Sequence, residues 1–137
     1  MGLKRIGALA LVVVLTLVVL GVMYFYAPVG APAGYHFPHH AMFGSMDALY
    51  EGVLVEADGC VITETGDTVV WPPGYGIELR DGRLVVVGGG QVNGMGEPVA
   101  LGGGFISRDN IGGYPLAAGS ADVPCGDRFF LTSGWAN

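Results

Sequence analysis

Three histidines and a methionine stand within seven residues, as His36, His39, His40 and Met42 in the string Tyr35-His36-Phe37-Pro38-His39-His40-Ala41-Met42. Met46 and Asp47 lie just beyond. Imidazole and thioether ligands together suit copper, so the cluster is a candidate metal site, with copper the cofactor it would take and Met46 a further candidate ligand. Two features count against it. Pro38 interrupts the spacing, and no helical period sets His36 and His40 on a common face. The plainer reading is a polar, aromatic stalk that needs no cofactor; a variant of it has Phe37, Met42 and Phe43 packing on whatever domain follows.

Other chemistries find less to build on. The triplets Gly88-Gly89-Gly90 and Gly102-Gly103-Gly104 invite a phosphate-cradle reading, but neither continues as a P-loop, and Gly94-Met95-Gly96 does not open a helix after a strand as a dinucleotide site requires. These glycines read as turns or bulges. Ser45, Ser107, Ser120 and Ser133 lack a nucleophile elbow, and all three histidines stand before residue 41, far in sequence from most candidate nucleophiles. Asp58, Asp67 and Asp81 stand at predicted turns, where carboxylates are ordinary solvated groups, and no Asp/Asn ladder resembles a calcium loop. A hydrolase built on paired carboxylates is therefore the third functional reading, behind a binding or structural protein and a metal handler, and no residue is assigned a catalytic role.

The most distinctive string is Val70-Trp71-Pro72-Pro73-Gly74-Tyr75. Two prolines stiffen a corner, and Trp71 and Tyr75 flank it, so they form a candidate contact surface for a peptide or a sugar. The competing reading has Trp71 plugging a core at a strand end.

The elements that position these residues begin with a membrane segment. From Ile6 to Tyr26 no residue is charged, and at about 1.5 Å per residue this stretch reaches about 31 Å, close to the hydrocarbon thickness of a bilayer. Twelve of its residues are Leu, Ile or Val. Lys4 and Arg5 precede it and no basic residue follows before Arg80, which predicts residues 1–5 in the cytoplasm, a helix through the membrane over 6–26, and the rest outside. Tyr24, Phe25 and Tyr26 would form the outer aromatic belt. The alternative is a cleaved signal peptide with Ala31-Pro32-Ala33 as the processing site, but the apolar run is longer than such peptides carry. Residues 27–46, with three prolines and three glycines, read as a tether.

From Asp47 to Asn137 apolar runs alternate with turn signals, predicting an extracytoplasmic, mainly β domain, a small antiparallel barrel or sandwich. Strands are expected at Tyr50 to Glu56, Cys60 to Glu64, Thr68 to Trp71, Gly76 to Arg80 and Arg83 to Val87, with Asp58-Gly59 and Asp81-Gly82 as hairpin turns. Gln91 to Asn93 and Pro98 to Leu101 are shorter candidates, Phe105 to Ala118 is expected to hold a helical turn, and Arg128 to Thr132 is a last strand. Beyond the span four arginines face twelve acidic residues, a net charge near minus eight. Such a balance excludes a nucleic-acid partner and tight docking on anionic lipid, leaving the chain's own helix as its membrane contact and another envelope protein as its partner.

Cys60 and Cys125 are the only cysteines, both on the side assigned to the oxidising compartment, so a disulfide is expected. Gly59-Cys60, Val70 to Gly74, Leu101 to Gly104 and Pro124-Cys125, in this order, resemble a pattern in uncharacterised small bacterial exported or membrane-anchored β domains. The likeness spans about 70 residues of the soluble part. It implies Cys60 with Cys125 as a family disulfide and carries no activity, ligand or catalytic residue.

Overall fold

The computed structural model describes residues 3–26, 31–41, 46–116 and 120–136. One helix, α1, runs Leu3–Tyr26, and its described side chains, from Gly7 to Val22, are almost all exposed. Among the described residues no helix is long and apolar enough to cross a membrane.

Among the described residues eight strands follow: β1 (Ala48–Ala57), β2 (Cys60–Thr63), β3 (Thr68–Val70), β4 (Gly76–Arg80), β5 (Arg83–Gly88), β6 (Gln91–Gly94), β7 (Pro98–Ser107) and β8 (Arg128–Trp135). Five of them close a barrel in the order β1-β2-β3-β8-β7, and β4-β5-β6 form a separate three-stranded meander. Short 3₁₀ helices at Arg108–Gly113 and Ser120–Asp122 lie between β7 and β8.

Turn chemistry sets the hairpins. Asp58-Gly59 and Asp81-Gly82 have φ of 51°, 78°, 52° and 75°, two left-handed residues in a row, as the two-residue turn matching strand twist demands. The meander's registers follow directly: Arg80 opposes Arg83, Ile77 opposes Val86, and Val87 opposes Val92. All neighbouring pairs in the barrel are antiparallel except β3 with β8, which run parallel with Val69 opposite Phe130.

That parallel pair divides the core in two. Val69, Trp71 and Phe130 join Tyr50, Leu54 and Leu101 on one side, roofed by Ile77, Leu84 and Val86 of the meander. Val70, Phe129 and Leu131 point the other way, into a second cluster with Ile106, Ile111, Val123 and both cysteines. Strands covered on both faces carry unbroken apolar runs, which accounts for the strings Val69-Val70-Trp71 and Phe129-Phe130-Leu131.

Two expectations change here. β7 does not stop at Leu101 but continues through the glycine triplet to Ser107, with a register shift between Gly102 and Gly103. A side chain at Gly103 would strike the Leu131 backbone, so glycine is what allows β7 and β8 to approach there. The helical turn expected within Phe105 to Ala118 falls at Arg108–Gly113, just after β7 ends.

The second change concerns residues 31–41, expected as part of a free tether. They form a strap bound to the barrel: His36 bridges Cys60 of β2, His39 bridges Trp71 beyond β3, and His40 bridges Leu116. The His36 and His40 amides donate to the carbonyls of Gly59 and Trp71, and the Trp71 amide donates to that of Pro38. Phe37 enters the first core, as the alternative reading of this segment held, while Met42 and Phe43 lie outside the described residues.

Candidate functional site

The strap, the Trp71 corner and the end of β8 meet in one aromatic cluster. The Trp71 ring lies parallel to Phe37 at 5.4 Å and to Tyr75 at 5.5 Å, and Trp135 meets it edge-on at 5.6 Å. Trp71 is fully buried. Of the proposed contact pair, therefore, Trp71 is a core plug, and Tyr75 is half-buried between it and Trp135. The cluster is also the seam between barrel and meander, since Trp135 Nε1 donates to the Gly88 carbonyl at 2.7 Å. Trp71 Nε1 is buried and finds no hydrogen-bond acceptor among the described residues.

The histidines anchor the strap rather than converge. His39 Nε2 lies 2.7 Å from the Tyr75 carbonyl and His40 Nε2 lies 2.6 Å from that of Thr132. A carbonyl oxygen only accepts, so each of these nitrogens carries its proton and has no lone pair to give a metal. His36 bridges Cys60 of β2, and Met42 lies outside the described residues. Met46 is occupied as well, its thioether seated where a side chain on Gly104 would lie. Among the described residues no group of three or more His, Cys, Asp or Glu side chains is placed to hold a metal ion.

Asp67, expected as a solvated turn carboxylate, is instead the centre of a polar network that closes the other end of β3. Asp67 is buried and accepts from both the Nε and an Nη of Arg128, from Thr65 Oγ1 at 2.7 Å and from Thr63 Oγ1 at 3.2 Å. The Arg128 guanidinium lies 4.8 Å above the Phe105 ring. Arg108 has the matching role near the disulfide, donating to the carbonyls of Val123, Cys125 and Gly126 and lying 4.9 Å over Phe129. The only sequence signal for either arginine was scarcity: few cations in an acidic domain, two of them flanking the cysteine-bearing loop.

Titration of this framework predicts acid sensitivity. Burial lowers the pKa of His40 from 6.5, despite the Thr132 carbonyl that favours the charged ring and against which His39 works in the same sense as burial. A folded-state pKa below the unfolded one means the unfolded chain binds the proton first, so this contribution to stability is full above pH 6.5 and is lost as pH falls below it. Burial alone would raise Asp67, but hydrogen bonds from Arg128, Thr65 and Thr63 and the Arg128 charge hold it below 3.8, so its contribution is lost at lower pH still, as pH falls through the folded value. Thermal unfolding followed from pH 8 to pH 3 is expected to fall in two stages. His40→Gln should flatten the upper one, and Arg128→Ala should shrink the lower one while lowering the melting temperature at neutral pH, because without Arg128 the folded Asp67 pKa rises toward or above its unfolded value. A melting temperature independent of pH above 4 would contradict the assignment of His40.

Elsewhere an open, mostly apolar groove on the barrel wall is lined by Glu51, Gly52 and Val53 of β1 and Pro98, Val99 and Ala100 of β7. Against protein-family models, curated proteins and solved structures, the chain finds no match.

Proposed function

We propose that this chain is a single-pass envelope protein, with its N-terminus in the cytoplasm and its β domain held outside the membrane as a non-enzymatic binding or structural module. The observation that carries this reading is the buried bond between Cys60 and Cys125, whose Cα atoms stand 6.2 Å apart inside the second core. Structural disulfides of this kind belong to oxidising compartments. The only cysteines of the chain are both committed to it. Support for the anchor comes from the uncharged run Ile6–Tyr26, with Lys4 and Arg5 on one flank only, and from a helix that covers the same residues. The side chains of the aromatic cluster and of both histidine anchors are engaged in holding strap, barrel and meander together, which favours a rigid module presented to an envelope partner.

Membranes extracted with alkaline carbonate and intact cells treated with protease test this together. The full chain is expected to stay in the membrane pellet, and the β domain to be cleaved or tagged from outside. Release into the carbonate supernatant, or a β domain protected until the membrane is broken, would contradict the anchor or its orientation.

A further inference from the structure

We propose that β4 is a self-pairing edge, at which two copies of this chain join antiparallel about a two-fold axis centred on Leu79. The meander has β5 in its middle, and among the described residues the outer edge of β4 pairs with no strand. An open edge offers a row of backbone donors and acceptors, and the side chains along it decide what it accepts. In a hairpin closed by a two-residue turn the pair next to the turn exchanges hydrogen bonds, and alternate residues do likewise. Arg80 and Arg83 are that pair, so the backbone groups of Leu79 and Ile77 point away from β5, toward an incoming strand.

The side chains select the occupant. Glu78 and Arg80 share one face of β4 and form an ion pair at 2.9 Å, with both side chains about half exposed, while Leu79 on the opposite face is 49% exposed. In an antiparallel pairing centred on Leu79, residue 78 of one copy opposes residue 80 of the other. Glu78 of each copy then meets Arg80 of the other, giving two ion pairs across the axis, and the two Leu79 side chains meet on it, an isologous contact in which one patch complements itself. Centring the pairing on Glu78 instead sets like carboxylates against each other. The arrangement also relieves a local imbalance, because Arg80 directly opposes Arg83 within the hairpin and Glu78 is the carboxylate paired with it. The edge strand β6, with Gln91, Val92 and Asn93, carries no such complementary charges.

The test uses the full-length chain in native membranes and then in mild detergent. Because both native cysteines are bonded, Leu79→Cys supplies a single free thiol, which mild oxidation is expected to convert to a covalent dimer. Val92→Cys, equally exposed on the other edge, should remain monomeric. In the Leu79→Cys background, Glu78→Arg is expected to cut cross-linking at least tenfold, and adding Arg80→Glu to restore it. Cross-linking through Leu79→Cys no greater than through Val92→Cys overturns the proposal, and so does a double reversal that fails to recover what the single one lost. These side chains are at the surface, and an unaltered chain that sediments as a monomer in the same detergent overturns it independently of any variant.

Discussion

Trp71→Ala is expected to cost about 3 to 5 kcal/mol, the range for removing a large buried aromatic ring. Native domains hold only about 5 to 15 kcal/mol in total, so the variant should be unfolded or nearly so at ambient temperature. The size of the effect follows from where the ring sits. Trp71 is fully buried, stacks on Phe37 of the strap and Tyr75 of the corner, and meets Trp135 at the end of β8. Its removal opens a void shared by strap, barrel and meander, three parts of the chain that no short-range contact could draw together. Trp71→Phe separates packing from the indole itself: it keeps an aromatic ring between Phe37 and Tyr75 and removes a buried N–H that has no described acceptor, so its cost should be well below that of alanine. Urea unfolding of the three proteins provides the comparison. A folded Trp71→Ala with near-normal stability would return this corner to the list of contact surfaces.

Opening the disulfide is the second large effect. Cys60 and Cys125 are 65 residues apart in sequence, and a cross-link closing such a loop restricts the unfolded chain by about 4 kcal/mol on the chain-entropy model. The bond also has a local role. It ties the start of β2 to the loop before β8, where Arg108 donates to the carbonyls of Val123, Cys125 and Gly126, and Thr68 Oγ1 donates to the Cys125 carbonyl at 2.8 Å. The paired change Cys60→Ser with Cys125→Ser is expected to lower stability by roughly that amount, with a urea midpoint well below that of the oxidised protein. Reduction of the unaltered chain should reproduce the loss. A change under about 1 kcal/mol would mean that the parallel pairing of β3 with β8 holds this region without the bond.

Much of the strand pattern is legible in the residues because the signals are local. Gly76–Arg80 and Arg83–Gly88 are marked by alternation and by the Asp81-Gly82 turn between them, and β1 with β2 by Asp58-Gly59. What escaped is what local signals do not carry. The strap shows no period because Phe37, Pro38, His39 and His40 are all buried, covered on both faces, and a segment of that kind has no alternation to display. The second half of β7 is concealed by the Gly102 to Gly104 run, which has no side chains to alternate. Parallel pairing of β3 with β8 joins Val69 to Phe130 across some sixty residues, with no turn to announce it.

The candidate site fared differently. Spacing alone put the histidines in one cluster, whereas the Nε2 atoms of His39 and His40 are bound to separate carbonyls, and that depends on strands distant in sequence. Trp71 plugs the core, as one of the two readings of its string held, and with Tyr75 it packs against Phe37 and Trp135, which no local signal announced. The partnership of Asp67 with Arg128 had no sequence signature, since their 61-residue separation is closed only by the β3–β8 pairing.

The central claim, an anchored barrel sealed by a disulfide outside the cytoplasm, is tested most directly by the intact mass of the protein taken from its native membranes and alkylated with and without prior reduction. The account predicts a chain that retains residues 6–26, takes up no alkyl group before reduction and takes up two after it. A chain beginning near Gly34, or two alkyl groups on the unreduced protein, would contradict it, the first by removing the anchor and the second by placing Cys60 and Cys125 in a reducing compartment.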